Sequence, residues 1–305
     1  MAFHNRRNRL NKKVLLGSSA VVCLAVASAL VVIYVFSGNN PGKPASQASA
    51  TAGAPAPAAG KWSCVASDDG SQNPGQNCPD ADGYRYDGIT NSNGYNTHVL
   101  NDMWNPPGAG NPQTVYVDTP GHWQVISDQP AGNTSVLAYP DVQQIFTLTT
   151  NAPAPLSSFS SLFSDFKQSM PDGGDNEAAY DIWLGTTSKS FSQEVMIWVD
   201  DHRTNPPPGK IVSRPTFFGA KYSVWDAGGT IYMVRDRNET SGRVYILTML
   251  DWLESHGYSA AGSGLNQIDF GWEICSTGGK AETFTISRYD MHVVCARGGT
   301  ACWSS

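Results

Sequence analysis

The stretch Phe191 to Asp200, FSQEVMIWVD, constrains the fold more than any other. In an extended chain Val195, Ile197 and Val199 fall on one side. Glu194, Met196, Trp198 and Asp200 fall on the other, the period-two pattern of a half-buried strand. A plain solvent face would carry Thr, Ser or Lys. This one carries an acid beside a Met and a large aromatic, which reads as the floor of a groove for something flat. An ordinary sandwich strand with one surface Glu has the same alternation, so this stretch alone leaves both readings open.

Two other stretches repeat the pattern. In Gln267 to Cys275, QIDFGWEIC, the residues Ile268, Phe270, Trp272 and Ile274 take the core side and leave Asp269 and Glu273 on the open side. In Ala179 to Leu184, AYDIWL, Tyr180, Ile182 and Leu184 point inward while Asp181 and Trp183 point outward. Like charges facing one another on a sheet are destabilising, so three central strands with acids on the non-core face imply a use for those acids.

The surrounding sequence is that of a β protein. Runs rich in Val, Ile, Tyr, Trp and Thr are separated by Gly, Pro, Asn and Asp clusters. Strands are expected at Gln113–Val117, Trp123–Ser127, Ala138–Gln144, Ala178–Leu184, Gln193–Asp200, Lys221–Trp225, Thr230–Arg235, Gln267–Cys275 and Glu282–Tyr289. One helix is expected, Val244 to His256, with Leu247, Leu250 and Leu253 in an apolar stripe and Gly257 as its C-cap. Many short strands with a single late helix argue for a sandwich over a βαβ fold. No internal repeat or second linker interrupts the body, so one domain is expected over residues 62–305.

Ahead of that body the composition changes. Residues 1–13 are a basic flank, with Arg6, Arg7, Arg9, Lys12 and Lys13, and residues 14–36 are an uncharged apolar run. Such a run is long enough to span a bilayer, and the basic flank places the N-terminus inside. The A-x-A-like step Ala27 to Ala29 sits within the run, which favours an uncleaved signal anchor over a cleaved signal peptide. Residues 37–61 are an Ala, Pro, Gly and Ser linker that buries no core. Either way the body is expected to be extracellular, tethered or secreted.

Charge narrows the partners. Seven of the 20 basic residues precede Trp62, leaving 13 against all 26 acids, a net charge of about −13 for the body. So acidic a body lacks the basic footprint that nucleic acid requires. Cysteines fit an exported domain. Cys23 lies in the apolar run, Cys64 with Cys78 and Cys295 with Cys302 are close enough in sequence to staple the two ends, and Cys275 is left over. No CxxC or paired His spacing suggests a metal.

The array of acids points to sugar chemistry. Cleavage of a glycosidic bond needs one acid to protonate the leaving oxygen and one carboxylate to attack or to activate water. Trp104 in NDMWN and Trp198 beside Glu194 offer flat faces to pyranose rings, whereas Trp123, Trp225, Trp252 and Trp272 read as packing residues. The scattered histidines make no base-like pairing with a Ser or Cys nucleophile. Asp200-Asp201 and Arg235-Asp236-Arg237 read as solvated loop charges.

Six motifs in order carry a resemblance. NDMW at Asn101 to Trp104, Tyr139-Pro140 in AYPDV, Asp181 in AYDIWL, Glu194 in EVMIW, Pro207-Pro208-Gly209, and Glu273 in GWEIC followed by STGG together resemble glycoside hydrolase family 12, from about Tyr95 to Tyr289. The resemblance implies an all-β jelly-roll sandwich of two antiparallel sheets, with the helix on the convex side and a glycan groove on the concave side. It also implies a retaining endo-β-1,4-glucanase or xyloglucanase that needs no cofactor, takes β-glucan polysaccharide as substrate and works as a monomer. Carried over residue by residue, Glu194 resembles the nucleophile, Glu273 the general acid/base and Asp181 the carboxylate that hydrogen-bonds the nucleophile. Asn101 and Trp104 resemble groove residues on the glycone side, Met196 and Trp198 the floor, and Pro208 and Gly209 part of a bordering loop. Asn105 departs from the Trp-Gly that usually continues the motif, and Cys275 is an unusual thiol beside Glu273. The rival readings are a hydrolase of the same fold specific for xyloglucan or mixed-linkage glucan, and a non-catalytic glycan-binding sandwich.

Overall fold

Alternation decides which residues meet in the core, and the runs read as strands all form in the structure. It is a computed structural model that describes residues 64–67, 85–88, 96–103, 113–146, 152–187, 190–260, 262–296 and 302, all within the compact unit Gln47–Ser305. The apolar run, the linker, Trp104 and Cys78 lie outside the described residues, as does the side chain of Cys64. In chain order the first strands are β1 (Cys64–Ser67), β2 (Arg85–Gly88), β3 (Asn96–Leu100), β4 (Gln113–Thr119), β5 (His122–Asp128) and β6 (Asp141–Ile145). There follow β7 (Ala154–Pro155), β8 (Phe159–Ser169), β9 (Asp175–Thr187), β10 (Ser190–Asp201), β11 (Lys210–Ser213) and β12 (Thr216–Phe217). The last are β13 (Ala220–Asp226), β14 (Thr230–Arg235), β15 (Ser241–Val244), β16 (Gly264–Ser276) and β17 (Ala281–Cys295), with helix α1 (Ile246–Ser255) between β15 and β16.

Two sheets result. One runs β1-β4-β5-β17-β8-β15; the other runs β11-β13-β14-β10-β9-β16-β6-β3-β2, with β12 on β13 and β7 on β16. Pairing is antiparallel throughout except between β10 and β14, which are parallel. That exception arises because the chain leaves β10, makes the β13–β14 hairpin, and returns alongside β10 in the same direction.

The inward sets of the two sheets meet between them. Tyr180, Ile182, Leu184, Val195, Ile197, Ile268, Phe270, Trp272 and Ile274 are all fully buried. Trp272 meets Trp123 edge to face with centroids 5.1 Å apart, and Tyr180 stacks on Phe270 at 4.4 Å. The helix packs on β8 through Ile246, Met249, Leu250 and Leu253, and Gly257 caps it at φ 73°. Disulfide Cys295–Cys302 closes the end of the chain, while Cys275 is buried and unbridged.

Strand β8 lies outside the expected set, and one expectation is corrected. The sequence FSSLFSDFKQS of β8 has too many Ser, Asp, Lys and Gln residues to signal a strand, yet its buried positions Phe159, Leu162 and Phe166 supply core, and Asp165 is pinned by Arg243 at 2.7 Å. Asp200 is no solvated loop charge. A register shift between Trp198 and Asp200 inserts an extra residue in β10 and turns Asp200 inward, where it accepts a 2.7 Å hydrogen bond from Gln168. The same bulge returns Asp201 to the polar face opposite Glu177.

Candidate active site

Strands β10, β9 and β16 lie side by side, so their outward acids share one face. Glu194 is opposite Trp183 of β9 and Thr230 of β14, Asp181 is opposite both Met196 and Asp269, and Glu273 is opposite Glu177. From Trp183 to Glu177 is six residues, about 20 Å along a straight strand. Across that span the charge of Glu273 still bears on Glu194, whose carboxyl it helps to raise. On β9, Asp181 and Ala179 lie between the two on the same face.

Glu194 is nine-tenths buried, and Thr230 Oγ1 donates to its Oε2 at 2.6 Å. Burial is the main force that pushes its carboxyl up to about 7; Thr230 opposes this, Glu273 adds to it, and a hydrogen bond with Asp181 opposes it. Asp181 is held well above the usual carboxylate range, first by burial and then by the charges of Glu194, Asp269, Glu273 and Asp141. A neutral Asp181 is a donor, and its neighbour Glu194 is the acceptor.

Glu273 faces Arg203, whose Nη1 is 3.3 Å from Glu273 Oε2. Beyond Asp181 lies a second band of acids. Asp269 receives both oxygens' bonds from Gln267 Nε2, at 2.9 and 2.8 Å, and Asp141 is fully buried and held well above its ordinary range by burial, Asp269 and Asp102. The Tyr139-Pro140 motif fastens this floor. Tyr139 Oη donates to the Ala179 carbonyl at 3.1 Å, and Pro140 O would lie 2.0 Å from a Cβ at position 271, which is why only Gly271 fits beneath it.

The residues expected to bind sugar are placed as follows. Met196 and Trp198 do lie on the polar face, but packed with Ala179 and Tyr232 and only 2 % and 3 % exposed. Trp198 meets the Tyr232 ring edge to face at 5.7 Å, so it is a floor and not an open stacking platform. Asn101 is buried, and its side chain exchanges hydrogen bonds with Gln113, tying β3 to β4 instead of facing a ligand. Pro208 and Gly209 are exposed; Gly209, at φ 91°, packs on Asp226 beside the β13–β14 turn that leads to Thr230.

Three side chains of this face escaped the sequence reading. Thr230 depends on the parallel pairing of β14, and Arg203 depends on the bulge, neither of which leaves a local signal. Glu177 did leave one: it shares the phase of Asp181 on β9.

No protein-family model matches the chain. Among curated proteins, Endoglucanase S of Pectobacterium parmentieri is 27 % identical over 214 residues, covering 61 % of this chain and 78 % of that protein. Among solved structures, the xyloglucanase domain of NopAA, a type three effector from Sinorhizobium fredii in complex with cellobiose, is 27 % identical with a TM-score of 0.53, over 65 % of this chain and 92 % of that one. The native family 12 xyloglucanase from Bacillus licheniformis shares the fold at a TM-score of 0.56 and 22 % identity, over 65 % and 93 %. The chain shares its two-sheet fold with these glycan-hydrolase structures. The resemblance to glycoside hydrolase family 12 carried by the six motifs is borne out by these relatives.

Proposed function

We infer that the protein is an endo-acting glycoside hydrolase of the cellulase type, cleaving β-1,4-glucan with retention through a glycosyl-enzyme. The observation that carries this reading is the placement of Glu194, Asp181 and Glu273 on one face of the neighbouring strands β10, β9 and β16, with Asp181 and Thr230 as hydrogen-bond partners of Glu194. In the proposed division of roles Glu194 attacks the anomeric carbon while Glu273 protonates the leaving oxygen. Glu273 then takes a proton from the water that releases the sugar. Thr230 and neutral Asp181 hold the Glu194 carboxylate and disperse its charge, which readies it for attack and for departure.

Digestion of a panel of β-glucans tests the reading. Soluble cellulose derivatives are expected to lose viscosity early, with oligosaccharides released in the β configuration. Xyloglucan cleaved in preference to unbranched glucan would move the substrate within the same chemistry; α-configured products would remove retention. For the whole chain we propose export, with the apolar run at residues 14–36 as an N-terminal anchor; the disulfide at Cys295–Cys302 fits an oxidising compartment. Cell fractionation should find activity in the membrane pellet, and a mature N-terminus just beyond residue 36 would remove the anchor.

A further inference from the structure

Delivered to the polar face by the bulge in β10, Arg203 lies among three carboxyl groups. Its Nε is 2.7 Å from Asp175 Oδ1, and its Nη1 is 2.9 Å from Glu177 Oε2 and 3.3 Å from Glu273 Oε2. Its Nη2 donates to the Thr134 carbonyl at 3.0 Å, which ties the guanidinium to a neighbouring loop. One cation thus faces three acids in a place nearly closed to water. Glu177 is fully buried, and its Oε1 has no donor among the described residues, although its carboxyl shares a hydrogen bond with that of Glu273. A buried carboxylate oxygen without a donor is costly; a protonated one needs no donor, because it donates. Burial first, then the charge of Glu273, hold the Glu177 carboxyl well above its usual range against the pull of Arg203.

We propose that Glu177 and Arg203 are positioning residues for Glu273: the guanidinium fixes its carboxyl group in place, and Glu177 supplies and takes back its proton. The proposal rests on the reading of Glu273 as acid/base. In glycosylation the O–H bond of Glu177 breaks as its proton passes to Glu273. Glu273 delivers a proton to the leaving oxygen, and Glu177 is left as a carboxylate paired with Arg203. In deglycosylation Glu273 removes a proton from the attacking water and passes it back, so the pair regains the one proton it lost. The groups that face Glu177 are Glu273 and Cys275 on β16, Asp201 and Arg203 at and beyond the end of β10, Tyr232 on β14, and Asp175 and Asp181 on its own strand. Only Arg203 among them is cationic.

The test is the pH profile of kcat/KM on soluble β-glucan for Glu177→Gln, Arg203→Ala and Arg203→Lys, each shown folded by thermal melting. Glu177→Gln keeps the shape but removes both the proton store and the like charge, so the alkaline limb should move to lower pH by roughly one unit. Arg203→Ala removes the opposing cation and should move that limb to higher pH; Arg203→Lys should move it the same way by less. Shifts of opposite sign are not produced by mere loosening of a loop. Should Arg203→Ala fail to fold, Glu177→Gln and Arg203→Lys decide. Limbs that stay put or move together overturn the proposal. If instead Glu273→Ala is not rescued by azide, the acid/base reading of Glu273 itself has failed.

Discussion

Glu194→Gln is expected to lower kcat on β-glucan by roughly 10⁴-fold or more, with sugar binding retained. The amide keeps the length of the side chain, and its carbonyl oxygen still accepts from Thr230, so the groove keeps its shape. What is lost is the ability to form a bond to the anomeric carbon. Glu194→Ala, which opens space at the same point, should be rescued by azide to give a glycosyl azide of inverted configuration. Activity near wild type in Glu194→Gln would end the assignment of Glu194 as nucleophile.

The same substitution should also stabilise the fold, because the environment of Glu194 disfavours its charge. A carboxyl raised from 4.5 to about 7 contributes stability that is complete below about pH 4.5 and is lost as pH rises through 7. The full shift corresponds to on the order of 3 kcal/mol. Thermal unfolding of wild type and Glu194→Gln should therefore agree near pH 4 and diverge by pH 8, the variant melting higher. Such a gain on removal of a charged side chain is what a stability–function compromise at a catalytic group looks like. Equal pH dependence in both proteins would mean that Glu194 ionises freely, and that its burial carries little cost.

How far could the residues alone be read? The core could be read well, because a strand shows its inward face at every second position and β9, β10 and β16 keep that period over most of their length. The acids Asp181, Glu194 and Glu273 were legible for the same reason. What defeated the reading was register. One extra residue between Trp198 and Asp200 exchanges the faces of everything that follows, so Asp200 enters the interior and Arg203 enters the groove. Thr230 reaches Glu194 only because β14 lies parallel to β10, a pairing between segments more than thirty residues apart with no turn motif to announce it. Asn101 and Trp198 show a different limit: phase tells which side a residue takes, and not whether a neighbour such as Gln113 or Tyr232 has already covered it.

Loss of Glu273 should separate the two halves of the reaction. With Glu273→Ala, cleavage of β-glucan is expected to fall by roughly 10³-fold, within the range of general acid catalysis, because a sugar alkoxide is a poor leaving group without a proton. An aryl cellobioside whose phenol ionises below neutrality needs no such help, so the glycosyl-enzyme should still form on Glu194 at near wild-type rate. Water would then attack slowly for want of a base. The expected signature is a burst of phenol followed by a low steady rate, restored by azide to give a product of retained configuration. That product is opposite to the one expected from Glu194→Ala, and the contrast assigns the two carboxyl groups independently of any distance. Retention also requires the carboxyl groups to stand about 5–5.5 Å apart when sugar is bound, against 6.5–9.5 Å for inversion. If Glu273→Ala slows the aryl substrate as severely as the polymer, Glu273 is not the proton donor, and its pairing with Arg203 at 3.3 Å serves only to hold β16 in place.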